Sequence, residues 1–366
     1  MRKKLILIQL SRALVPVLVM LFHVAENVKG YWDYNLLGLT YLPISGGVNY
    51  FFALSGFMLY YIYQNKFHRS YELKDFLLNR FIRVYPLYWV LTLIAIPVLF
   101  LFPYLGVGNK LTDDIIMHSL LLLPDPSGVE PVLDVAWSLV HTVYFYIIFS
   151  LLFLSKVISR LGITIWTLVS IAFVSGYVWS EHYIVFFLFN QYNLIFLAGI
   201  LCAYIVTKYQ FNIKLSVLIA VIGFLGFPLT WLNYIYKVIS INFDISTGLS
   251  SVLIIFGLAS IDRQADIQIP KLLNYLGNAS FAIYLAHNLI LNTLSEVFSR
   301  LDLYELLGGG VGTSLLLLLL ITFFGCLVHS FIEKPLIKMF KNRLFKRSAD
   351  EKPPRVNPAS NISISR

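Results

Sequence analysis

The sequence predicts an all-α integral membrane protein, a bundle of about ten transmembrane helices with its N- and C-termini cytoplasmic. Of its 366 residues, 58% are hydrophobic and only 13% charged, a balance that the surface of a soluble domain could not carry. The apolar residues fall in uninterrupted runs of about 20, long enough to cross the hydrocarbon core. Basic residues collect in alternate loops.

The runs lie at 5–24, 44–63, 82–103, 137–155, 162–179, 184–206, 214–232, 246–261, 276–296 and 311–331. Inside a bilayer only helices and closed barrels satisfy every backbone polar group, and barrel strands would show short alternating segments instead. The eighth run is the shortest of them and is bracketed by Asp244 and Asp262; if it did not cross, the C-terminus would move outside. The cations argue that it crosses. With the N-terminus inside, Lys3, Lys4, Lys66, Arg80, Arg83, Arg160, Lys214, Arg263, Lys271, Lys338 and Arg343 all fall inside, leaving Lys29, Lys110, Lys237 and Arg300 outside.

The formal charge of +9 is therefore a topology signal that calls for lipid and not for nucleic acid. Met1-Arg2-Lys3-Lys4 and the run behind it resemble a secretory signal, but Arg12 interrupts the run and no small-x-small cleavage site follows, so the first span is retained. Cys202 and Cys326 sit in apolar runs without metal-ligand spacing and read as packing residues; no metal site is expected. No repeat of 20–50 residues is visible. The domain expectation is a transmembrane domain over 1–335 and a basic cytoplasmic tail over 336–366, disordered from Ser348 onward by its Pro, Ser, Asn and charge content.

Ionisable groups inside spans cost about 2.5–3.5 kcal/mol and face a cavity or a polar partner. Arg12 lies in the first span and His23 closes it. Eleven steps of about 100° return to within about 20° of the same face, with a rise of about 16 Å. One reading has Arg12 snorkelling to the headgroups and His23 marking the interface. The other has a path with a permanent cation and, at its far end, a titratable base, a role that suits histidine. Glu26 either orients that imidazole or is a solvated loop carboxylate.

Arg80 and Arg83 are i, i+3 neighbours at the start of the third span, where they either fork onto phosphate or anchor the helix to lipid. Gly46 to Phe57 combines small residues with Asn49 and Ser55, which reads first as close helix packing. Trp137, His141, Thr142 and Tyr144 read first as an interface belt, and His141 and His287 need partners within the bundle.

Taken in order, these residues resemble the acyltransferase-3 family of membrane acyltransferases. The resemblance runs from Arg12 and His23, an arginine, ten residues, histidine signature, through Gly47 to Phe57 and then Arg80, Arg83, Pro86 and Tyr88. It continues with Trp137-Ser138-Leu139, Phe145-Tyr146, Leu276-Gly277-Asn278-Ala279-Ser280-Phe281, Tyr284-Leu285-x-His287 and Phe331-Ile332-Glu333-Lys334-Pro335. Too few residues follow the last span for the soluble esterase-like domain that some members carry. Two positions depart from the pattern: Thr142 stands where the family usually has glutamate, and Asn49 where it usually has aspartate. His141 or Glu26 would have to serve in place of the former, or the chain is a weakly active or inactive member.

The resemblance implies an acyl-coenzyme A donor, most often acetyl-coenzyme A, reached from the cytoplasm, and as acceptor a hydroxyl of an exported polysaccharide or its lipid-linked precursor, in a bacterial inner membrane. On this reading Arg80 and Arg83 hold the coenzyme's phosphates, the pantetheine arm passes Arg12, and His23 deprotonates the acceptor. Arg12 guides the donor or stabilises developing charge. Direct transfer is favoured over an acyl-enzyme on His23 or Ser55. The rival classes are a transporter or flippase of a lipid-linked glycan, which would show inverted repeats, and a non-catalytic partner of polysaccharide export machinery.

Overall fold

A computed structural model describes residues 3–42, 44–102 and 111–350, with side chains to 345. Every regular element in them is helical: α1 (Ile6–Trp32), α2 (Gly47–Tyr63), α3 (Leu73–Leu101), α4 (Asp113–Leu121), α5 (Trp137–Ser150), α6 (Lys156–Val174), α7 (Tyr183–Phe189), α8 (Gln191–Lys208), α9 (Ile213–Tyr236), α10 (Phe243–Gln264), α11 (Lys271–Arg300), α12 (Gly309–Val328) and α13 (Lys334–Asp350), with a π-helical turn at His329–Glu333 between the last two. Each expected apolar run falls on a helix. Eight helical stretches among the described residues are long and apolar enough to cross a membrane, and α2 and α11 are not among them. The first has only 17 residues and the second, with 30, is more polar.

The eighth run does form a full helix, α10, whose 22 residues extend past both bracketing aspartates. Each aspartate has a structural task. The Asp262 carboxylate accepts hydrogen bonds from the backbone N–H groups of Leu7 (2.8 and 2.9 Å) and Ile8 (3.1 Å). It thereby caps α1, whose own N-cap residue, Leu5, offers no side-chain acceptor. At the other end Asp244 accepts from Asn49 Nδ2 (3.0 Å) and Gln191 Nε2 (3.0 Å), joining α2, α8 and α10.

The span expected at 184–206 is divided at Asn190, which ends α7 and caps α8 by accepting from the N–H of Tyr192 at 3.0 Å. Small residues let α2 and α8 touch backbone to backbone. A Cβ on Gly56 would lie 2.1 Å from the Phe196 carbonyl, and one on Gly199 2.0 Å from that of Ala53. Three apolar clusters hold the bundle, centred on Phe52 and Phe145, on Tyr88 and Leu285, and on Val24 and Leu317. Cys202 is buried and both cysteines are free.

Lys3 donates to Asp266 at 2.8 Å, pulling that carboxyl below its usual range, and also to the Ala265 carbonyl; Tyr61 donates to Lys3, and Arg263 to Tyr209. His23, Glu26, Glu130 and Asp134 gather at the opposite end. Arg2 and Lys110 lie outside the described residues. So does most of the segment expected to be disordered, since Ser348–Asp350 are still helical and residues 351–366 are not described.

Candidate active site

Arg12 and His23 leave the same face of α1 and open into two adjoining chambers. The first, of about 180 Å³, has Arg12, Ser55, Arg83, Ser138, Thr142, Tyr146, Ser280 and Tyr284 among its walls. His23, Glu26, Ser45, Glu130, Asp134, Trp137, Tyr284 and Asn288 line the second, of about 280 Å³. Both are smaller than the ~300–1,000 Å³ that encloses a whole drug-sized ligand, so each suits the end of a longer molecule. Val48 and Tyr284 are common to both and form the partition between them.

Arg12 is held by a relay of amides. Asn278 on α11 accepts from Gln9 Nε2 at 2.9 Å, and Gln9 Oε1 accepts from Arg12 Nη1 at 3.2 Å. Gly277 permits this approach, since a Cβ there would lie 2.5 Å from the Gln9 carbonyl. Pro16, between Arg12 and His23, lacks the N–H that would otherwise bond the Arg12 carbonyl. Among the described residues no carboxylate lies within ion-pair distance of Arg12; of the charged side chains, Arg83 repels it and Glu333 attracts it from further off.

Arg83, by contrast, is already engaged. It pairs with Glu333 from the π-helical turn and lies over the Phe281 ring at 4.8 Å. Glu333 also accepts from His329 Nδ1 at 2.6 Å. Arg80 does not line the chamber; its guanidinium lies 5.7 Å from both the Tyr63 and Tyr146 rings, and its buried Nε has no acceptor among the described residues. The i, i+3 pair is thus split between two environments.

In the second chamber His23 Nδ1 lies 3.3 Å from Glu26 Oε2. A carboxylate in that position favours the tautomer with hydrogen on Nδ1, which leaves the Nε2 lone pair available as a base. The ring stands 5.0 Å from that of His287, which is fully buried behind it. His287 Nδ1 bonds the Tyr284 carbonyl, an acceptor only, so that ring too carries its hydrogen on Nδ1. Among the described residues its Nε2 has no hydrogen-bond partner. Asp134 accepts from Asn288 Nδ2 at 2.8 Å and from the N–H of Val135 at 2.7 Å, and Trp137 supplies an aromatic wall.

Three candidate residues lie away from this geometry or alter its meaning. His141 does not enter the space beside Thr142; it is buried on another side of α5, stacked on Phe187 at 4.3 Å. Thr142 faces the Arg12 chamber and donates to the Ser138 carbonyl at 2.8 Å. Asn49 is buried outside both chambers, donating to Asp244 and, at 2.8 Å, to Thr247. An amide serves there because its partner is itself a carboxylate, which an aspartate at 49 would repel.

Residues 6–332 match the acyltransferase domain family. The chain belongs to the acyltransferase-3 family. A relative in that class of proteins is the exopolysaccharide production protein ExoZ of Rhizobium meliloti (strain 1021), 25% identical over 332 residues that cover 88% of this chain and 96% of the relative. No solved structure matches. With its many apolar helices, this acyltransferase-3 chain is a multi-pass membrane acyltransferase. Four residues at or beside the two chambers were not legible as site residues in the sequence: Tyr284, Ser138, Glu333 and Asn288. The first three were visible as motif letters, but their convergence depends on helices up to 250 residues apart.

Proposed function

We propose that this chain is a membrane O-acyltransferase that moves an acyl group, acetyl in the first instance, from acyl-coenzyme A to a hydroxyl of an exported polysaccharide or its lipid-linked precursor. The observation that carries the reading is the pair of abutting chambers, one cationic at Arg12 and one basic at His23, opened by a single helix. Two adjoining chambers of different chemistry, one cationic and one basic, suit two reacting substrates better than one transported glycan. The name of the ExoZ relative supports an exported polysaccharide as the acceptor.

On this reading the membrane is the bacterial inner membrane and the basic ends of the bundle face the cytoplasm. The donor's thioester enters the Arg12 chamber, while Arg83 and Arg80, at and beside it, attract the coenzyme's phosphates. The acceptor hydroxyl occupies the His23 chamber. His23 Nε2 takes the hydroxyl proton as the oxygen attacks the thioester carbonyl, and Glu26 balances the imidazolium that forms. The C–S bond then breaks, and the coenzyme thiolate leaves and takes the proton from His23. Arg12, which is paired with no carboxylate at contact distance, compensates the charge that develops. A covalent intermediate is unnecessary because donor and acceptor meet across one partition.

The test compares ester-linked acyl groups on the exported glycan of cells carrying the native protein or His23→Ala. The variant inserts at the native level and acylates at background. Equal acylation in both strains would overturn the reading.

A further inference from the structure

We propose that Tyr284 is a catalytic residue whose phenolic hydroxyl donates a hydrogen bond to the thioester carbonyl oxygen as negative charge builds on it. The inference rests on the acyl-transfer reading above and assigns a further group to it. Donor and acceptor arrive from different chambers, so the bond made and the bond broken must lie at the partition. Among the described residues only Val48 and Tyr284 line both chambers, and of the two only Tyr284 has a polar side-chain atom.

The hydroxyl is placed to make the switch. It lies 2.9 Å from Ser138 Oγ and a long 3.3 Å from the Val135 carbonyl, while Ser138 itself donates to that carbonyl at 3.0 Å. Ser138 therefore keeps the Val135 carbonyl satisfied when the Tyr284 O–H rotates away, and no buried acceptor is orphaned. The ring cannot follow the hydroxyl: it is 8% exposed, wedged 5.8 Å from Phe51, and its own backbone carbonyl is held by His287. A fixed donor with a buried ring meets the requirement for oxyanion stabilisation.

The step balances with Tyr284 keeping its proton throughout. The acceptor oxygen forms a C–O bond to the acyl carbon and gives its proton to His23. The carbonyl oxygen then carries the charge and accepts from Tyr284. As the C=O bond re-forms, the C–S bond breaks, and the coenzyme thiolate leaves with the proton from His23.

Inverted membrane vesicles containing the full-length protein and endogenous glycan are supplied with radiolabelled acetyl-coenzyme A, and label entering glycan is followed as donor concentration varies. Tyr284→Phe keeps the ring and lowers the maximal rate about 10²–10³-fold, with the apparent KM for acetyl-coenzyme A within about threefold of native. A maximal rate within threefold of native, or a loss lying entirely in KM, overturns the proposal. If that variant fails to accumulate, fluorotyrosine placed at 284 keeps the shape and acidifies the hydroxyl. It shifts the maximal rate and its pH profile, and an unchanged profile overturns the proposal. His23→Ala separates the two readings: a normal Tyr284→Phe beside an inactive His23→Ala sinks this inference alone, whereas a native protein that transfers no label sinks both.

Discussion

Arg83 and Glu333 form an ion pair across 250 positions of sequence, and the same carboxylate is held by His329 one turn earlier. Glu333 is 1% exposed and Arg83 31%, so the pair is buried at one end and reaches water at the other. A fully buried pair that loses one partner costs ~3–5 kcal/mol; partial screening of Arg83 brings the expectation for Glu333→Ala to about 2–3 kcal/mol. Thermal unfolding in detergent should show a lowered midpoint, with Glu333→Gln in between because the amide still offers one acceptor. A midpoint equal to native would show that the pair does not hold α3 to the π-helical turn His329–Glu333.

Asp262 is the cap of a helix to which it does not belong. Removing its carboxylate strands the N–H groups of Leu7, part-buried, and Ile8, buried, at a cost of about 1–3 kcal/mol. Asp262→Ala should therefore expose the start of α1 to limited proteolysis sooner than Asp262→Asn does. Identical cleavage rates would show that water replaces the carboxylate.

Gly199 and Gly30 make an opposed pair. A methyl group at 199 meets the Ala53 carbonyl at 2.0 Å, backbone that cannot step aside, while one at Gly30 meets nothing within 4 Å. Gly199→Ala should lower stability by about 1–3 kcal/mol or prevent accumulation, whereas Gly30→Ala, on the surface of α1, should raise it by about 0.5–1 kcal/mol. Parallel melts of the two variants decide it, and a shift of the same sign in both would contradict the packing account.

Thr142→Glu restores the family's usual carboxylate and adds a negative charge to a chamber that now holds two guanidinium groups. The variant should insert normally. Its apparent KM for acetyl-coenzyme A should rise about fivefold, the equivalent of about 1 kcal/mol of lost attraction for an anionic donor. A falling KM would mean that the carboxylate orders Arg12 more than it neutralises it.

Hydropathy located the helices because it reports what lipid accepts, and it misplaced their ends for the same reason. α1 runs to Trp32 although the apolar run stops at 24, and α3 starts at Leu73 although its run starts at 82. Charged turns outside the hydrocarbon are still helical. The short α4 and the break at Asn190 left no trace, the first because nine residues cannot span a bilayer and the second because one amide does not lower the hydropathy of a long run. The common face of Arg12 and His23 was legible from helical period alone. That Arg83 is engaged by Glu333 while Arg12 is open, that Arg80 turns to aromatic rings, and that Asn49 answers Asp244 were not, since each depends on which helices become neighbours.

The cap on α1 also sets an order of events. Asp262 leaves the ribosome 255 residues after the N–H group of Leu7 that it secures, so during synthesis the first helix sits in the bilayer with its leading end unfastened. Chains released before that point hold the arginine and histidine but lack the clasp that fixes their helix, together with the tyrosine that closes the partition. The two-chambered site is therefore complete only after Asp262 and Tyr284 have been made, and fragments that end earlier hold α1 without either.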